Sequence, residues 1–196
     1  SFVALSPDVE KAVFSVGGSM WATMLSRSIH WRKIKPAFDL KYPDPLLQQI
    51  GKSMLQYYFD HPDPANLSRL MFRNPLPDVP SNRKVLLQEA VGDSQVPNIT
   101  THALARAMDV DLVSPAVDAP FGLQTMTAPT QGSGLVQYHL EAQTTGKMPP
   151  DSNVPPMEGN NVHSDILFLD NLQRQIEHFV ETGEIEQYCT GPCNPD

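Results

Sequence analysis

The sequence has no long apolar run. Nothing in its 196 residues approaches the roughly 18 consecutive apolar residues that a bilayer-spanning helix takes, so no transmembrane segment is expected. Basic charge is short as well. Fourteen Lys and Arg face 22 Asp and Glu, for a net charge of −8 at pH 7 and a pI near 5.1. A chain of that balance repels phosphate, which argues against nucleic acid as a partner. Cysteine is scarce: Cys189 and Cys193 stand alone, spaced CxxxC and not as the CxxC of redox and zinc motifs. No HExxH and no paired Cys/His spacing occurs, so neither a metal nor another cofactor is expected. No segment reads as a signal peptide, and there is no internal repeat. The chain opens Ser1-Phe2-Val3 without an initiator methionine, which reads as a processed or truncated piece.

What is present is a folded chain of one-domain size, 40% apolar and 18% charged. Proline is abundant. Its 19 residues are about twice the usual share of ~5%, and they cluster in 75–80, 115–129 and 149–156. Apolar and aromatic residues continue between them, so these stretches read as long ordered loops. Arg27, Arg32, Lys33 and Lys35 around Trp31 form the one basic cluster, read as a solvated face. The two cysteines leave two readings: free thiols in the cytosol, or, preferred, a local disulfide that pins the tail of an exported protein. Such a short loop adds little by chain entropy.

The pattern of elements is α/β. After a helix end and a turn at Ser6-Pro7-Asp8, Lys11–Val16 is a short strand stopping at Gly17-Gly18. Residues 19–38 read as irregular or weakly helical. Asp44-Pro45 and Asp63-Pro64 each place an N-cap acid before a proline at the first helical position. Leu46, Leu47, Ile50, Met54, Leu55 and Tyr58 then keep helical spacing to about Phe59, and the Met and aromatic residues of the block (Trp21, Met24, Met54, Tyr57, Tyr58, Phe59) read as core. Leu67, Leu70 and Met71 make a further short helix. The run Lys84–Val91 lacks alternation, as a strand covered on both faces should. Asn98 is positioned to cap a helix to about Met108, with Ile99, Ala103, Leu104 and Ala107 inward. Val110–Val113 and Gly134–Leu140 are further strands, with loops at 114–133 and 144–161. Unstructured stretches as long as the second are uncommon and often functional. Ser164 or Asp165 would cap a final helix with Leu169, Leu172, Ile176, Phe179 and Val180 on its apolar face, ended by Gly183.

Two residues carry the chemistry. Asp93 follows the 84–91 strand directly and precedes a helix, and His163 stands between the long loop and the last helix. In open α/β sheets, ligands sit beyond the carboxyl ends of the strands. A neutral His acting as general base needs an acid to fix its tautomer and stabilise its cation. Read singly, Asp93 also fits a turn residue, and His163 a helix residue without a role. The other histidines (His30, His61, His102, His139, His178) carry no such pattern.

GDSQVPNITTHALARAM (92–108) and NNVHSDILFLDNLQRQIEHFVETGEIEQYC (160–189) resemble the acid and histidine segments of α/β-hydrolases, most closely large bacterial secreted or lipoprotein hydrolases of the esterase/lipase type. ALSPDVEKAVFSVGG (4–18) is similar to the stretch after their nucleophile-elbow helix, and TGPC (190–193) to their C-terminus. The resemblance covers most of the chain but only the second half of the family's catalytic domain. It implies a partial α/β-hydrolase fold, the C-terminal strands and helices of a parallel sheet, with 19–80 as a helical cap. It implies Asp93 as the acid and His163 as the base of a triad ordered nucleophile, acid, histidine. The G-x-S-x-G elbow should lie just before residue 1. Gly17-Gly18-Ser19-Met20-Trp21 is a poor substitute, with Trp where a small residue is needed. The implied substrate is a small-molecule or lipid ester, the implied partner the missing N-terminal half, and the implied location secreted, periplasmic or cell-surface. A non-catalytic binding module on the same fold is the alternative.

Overall fold

A computed structural model of the chain describes residues 1–195. Five strands run parallel: β1 (Lys11–Ser15), β2 (Lys84–Ala90), β3 (Asp111–Ser114), β4 (Thr125–Thr127) and β6 (Gly134–Tyr138), in the spatial order β1-β2-β6-β3-β4. Two short strands, β5 (Thr130–Gln131) and β7 (Glu184–Ile185), form a separate antiparallel ribbon. Helix α1 (Phe2–Leu5) precedes β1. Helices α2 (Trp21–Arg27), α3 (Trp31–Lys41), α4 (Pro45–Phe59), α5 (Pro64–Leu67) and α6 (Arg69–Phe72) fill the connection from β1 to β2. Helix α7 (Asn98–Met108) follows β2, α8 (Glu141–Thr144) and α9 (Val162–Asp165) follow β6, and α10 (Asp170–Thr182) closes the chain before β7. Among the described residues no helix is long and apolar enough to cross a membrane.

Strand β2 is buried because both faces of the sheet are covered. Successive side chains point to opposite faces. Leu86 and Ala90 join Val136, Tyr138, Ile166, Leu172 and Phe179 beneath α10. Val85 and Leu87 join Leu104, Ala105, Met108, Leu112 and Leu135 beneath α7. Each face takes every second residue, so Val85–Leu87 are apolar in succession although the strand alternates. The start of β2 is held by Arg83, a buried guanidinium that donates to the carbonyls of Ala4, Ser6 and Val9. β1 lies at an end of the sheet, and every one of its residues is only partly buried.

Several expectations shift. The 19–38 segment is helical through α2 and most of α3, with Pro36 inside the latter. Neither helix has a side-chain N-cap hydrogen bond, so the usual start signal was missing. Asp44 and Asp63 do cap α4 and α5, accepting from Leu46 N (2.8 Å) and Ala65 N (3.0 Å) respectively. The apolar spacing of α4 is real, but that face points outward: no residue of the helix is buried. Asn98 lies inside α7, and Pro97 takes the N-cap position. Ile99 and Val180, expected inward, are exposed. The loop at 114–133 contains β4 and β5. The last helix is broken, with a 3-10 turn at Ile166–Phe168 and a restart at Asp170, so Ser164 and Asp165 do not cap it. Asp165 instead accepts from Gln143 Nε2 at 2.8 Å. Gly183 does end α10, at φ +71, a conformation that favours glycine.

Phe179 is fully buried against the β2–β6 face. Phe179→Ala should lower the unfolding free energy by about 3–5 kcal/mol, read as a drop in the urea midpoint without loss of a cooperative transition.

Candidate active site

Asp93 is placed by a sharp exit from β2. Val91 N still donates to Tyr138 O (2.8 Å), and the chain then turns at Gly92, φ +79. A Cβ there would lie 2.7 Å from Met148 Sδ and 2.8 Å from Thr144 Cγ2, so the position excludes a side chain by space as well as by φ. Asn98 fixes the turn, accepting from Gly92 N (2.7 Å) and donating to Ala90 O (2.6 Å). The Asp93 carboxylate is 2% exposed and divides its oxygens. Oδ1 accepts from the backbone N–H groups of Gln95 (2.7 Å) and Val96 (3.0 Å). Oδ2 accepts from His163 Nδ1 at 2.7 Å.

His163 comes from the other side of the site, within α9 and not in the loop before a helix. Val162 beside it is fully buried in the α10 core and anchors that turn. Asn160 ties the two loops together. Its Nδ2 donates to Gly92 O (2.8 Å), and its backbone N–H donates to Ser94 Oγ (3.1 Å). Ser94 O in turn accepts from Ile29 N (2.7 Å), which brings the helical block to the same loop. Asn160 and Ser94 were not singled out from sequence. Their only signal is position, beside Asp93 and three residues before His163.

The chemistry follows from the contact. An ionised carboxylate only accepts, so Nδ1 carries the proton and Nε2 is left with a lone pair. The hydrogen bond to Asp93 holds the His163 pKa above its ordinary value of 6.5, against desolvation, which pulls it down. The His163 side chain is 25% exposed. No hydroxyl among the described residues bonds to Nε2. Ser19 is buried, and its Oγ donates to Thr100 O at 3.1 Å.

A second acid–histidine pair was missed from sequence. Glu89, on β2 and buried, lies 3.0 Å from His102 Nε2 on α7. Gln137 Nε2 donates to Glu89 Oε1 (3.3 Å) and to Asp118 Oδ1 (2.6 Å), while its Oε1 receives the N–H groups of Val117 and Asp118. Burial pushes the Glu89 carboxyl up, and the hydrogen bond to His102 works against that rise. Glu89 and Gln88 interrupt the apolar run of β2, and nothing local says what they pair with. The pair works as a tie between the sheet, α7 and the 115–122 loop. At the opposite end of the sheet, by the start of β2, His178, Glu184 and Glu186 bring ligand-type atoms within 4.8 Å of one another. This is the one metal-compatible cluster among the described residues, and it is remote from Asp93. The Cys189 and Cys193 sulfurs are disulfide-bonded, and Cys193 O accepts from His139 N at 2.8 Å, pinning the tail beside β6.

Comparison with models of protein families, with curated proteins and with solved structures found no match.

In an NMR pH titration, His163 should titrate above the ordinary histidine value and fall back in Asp93→Asn. Because its folded-state pKa is raised, the pair's stabilisation is fully present below about 6.5, the unfolded-state value. It is lost as pH rises through the folded-state pKa. The stability difference between wild type and Asp93→Asn should shrink across that window.

Proposed function

We propose that residues 1–196 are the C-terminal part of a serine ester hydrolase of the α/β-hydrolase type, supplying the acid and the base of its triad. The observation that carries this reading is the 2.7 Å contact between His163 Nδ1 and the buried Asp93 Oδ2 beyond the carboxyl end of β2. In the proposed reaction, Nε2 takes the proton of a serine hydroxyl, the alkoxide attacks the ester carbonyl, and the imidazolium returns the proton to the leaving alcohol. Water then repeats the sequence on the acyl-enzyme. Asp93 orients the ring and stabilises the cation.

The serine and its oxyanion hole would come from chain preceding Ser1, through a strand added to β1. The outer position of β1 and its partial burial support that docking, and an unpaired parallel edge is otherwise a liability. Residues 19–80 would cap the site, as the Ile29–Ser94 hydrogen bond supports. The Cys189–Cys193 bridge supports an exported location, since such bonds persist in oxidising compartments. The substrate would be a small-molecule or lipid ester. A second reading, a non-catalytic binding module on the same fold, is favoured by the apolar outer face of α4.

The test is hydrolysis of short acyl esters by the full-length protein. Asp93→Asn should lower kcat by roughly 10⁴-fold, as loss of the orienting acid does in such triads, with KM little changed. No turnover by wild type, or undiminished turnover by Asp93→Asn, would remove the catalytic reading and leave the binding module.

A further inference from the structure

Helix α4 is inside out. Its partly buried stripe, packed toward α2 and the loop at Asp60–Asp63, is Gln48, Lys52, Leu55, Gln56 and Phe59. Gln56 accepts from Ala22 N and donates to Asp60 and Asp63, and Phe59 stacks on Trp21. The opposite face carries Leu46, Leu47, Ile50, Met54, Tyr57 and Tyr58, all exposed, with Leu46 at 67% and Tyr58 at 76%. An amphipathic helix normally turns its apolar stripe to the core. Here the more polar stripe faces the protein and the apolar one faces outward. Helix α3, directly before α4 in the chain, adds exposed Ile34 and Leu40. Contiguous exposed apolar surface of this kind marks a contact site.

Charge decides what kind of surface it contacts. Residues 19–73 hold eight Lys and Arg against four Asp and Glu, net +4, while the rest of the chain holds six against eighteen, net −12. Asp39 is paired with Lys35, Asp44 is taken by the N–H groups of Leu46 and Leu47, and Asp63 is buried at the α5 cap. On α3, which directly precedes α4 in the chain, Arg32, Lys33 and Lys41 are exposed and form no ion pair with a described residue. Exposed Leu, Ile and Tyr side chains in a block of net positive charge, with unpaired Lys and Arg on the preceding helix, are the composition of a helix that lies in the plane of an anionic lipid surface. The apolar side chains enter the acyl boundary, the tyrosines sit at headgroup level, and the cations meet lipid phosphates.

We infer that the α3–α4 face is a docking surface for an anionic lipid–water interface. This goes beyond the catalytic reading and does not rest on it. The test is co-sedimentation of the full-length protein with vesicles, which requires no ester turnover. Vesicles of phosphatidylglycerol and phosphatidylcholine should pellet it, and phosphatidylcholine alone should do so at least tenfold more weakly. Binding should fall as salt rises. Met54→Glu with Tyr58→Glu should weaken binding at least tenfold, and Lys33→Glu with Lys41→Glu several-fold. All four positions lie on exposed surface, and unchanged far-UV circular dichroism would verify the fold. Three results would overturn the proposal: no sedimentation with either vesicle, equal binding by both variants and wild type, or a lipid-free dimer dissociated by Met54→Glu. The last would make the face a self-association surface.

Discussion

Everything at the candidate site hangs on how one buried carboxylate spends its oxygens. Asp93 Oδ1 is held by two backbone N–H groups of its own turn, so the side chain has no rotational freedom left. Oδ2 is then presented to His163 in a fixed direction. Burying a charge without partners would be prohibitive. Three charge-assisted hydrogen bonds compensate for that burial and set the geometry together. The Gly92 turn, the Asn98 clamp and the Asn160 staple all serve this placement, because each holds a backbone segment that would otherwise let Oδ2 drift. A base and its orienting acid must be held to within a fraction of an ångström to act together.

The sheet beneath explains why those loops meet at all. β6 lies beside β2, so the segments leaving the two strands emerge next to each other at the same end. The acid follows β2 and the histidine follows β6, seventy residues later in sequence. The sheet is not purely apolar. Gln88 and Gln175 bond across the α10 face, with Tyr138 OH also on Gln175. Glu89, His102 and Gln137 link the α7 face. Such networks cost stability when half-satisfied and give register when complete.

What was legible in the sequence was whatever has a local cause. The strand at 84–90, the Asp-Pro helix starts, the glycine stop at Gly183 and the turn at Asp93 all follow from short-range chemistry. The pairing of Asp93 with His163 needed the strand order, which spacing alone does not encode, and the segment resemblance suggested it first. Asn160, Glu89 and Gln137 act only through partners far away in the chain, so no local pattern marks them. Helix α4 shows the limit most clearly. Its apolar periodicity is the signal of a core-facing helix, and periodicity reports that a face is apolar, not which way it points. Of the two readings of the cysteine pair, free thiols or a local bridge, the structure has the bridge.

The central claim is that Asp93 and His163 serve a serine that lies outside residues 1–196. It is tested most directly by treating the full-length protein with a fluorophosphonate and mapping the adduct by mass spectrometry. The account predicts a single modified serine on the N-terminal side of Ser1, in a G-x-S-x-G context, and loss of labelling in His163→Ala. An adduct on a serine within residues 1–196, or labelling that survives His163→Ala at the wild-type rate, would contradict it.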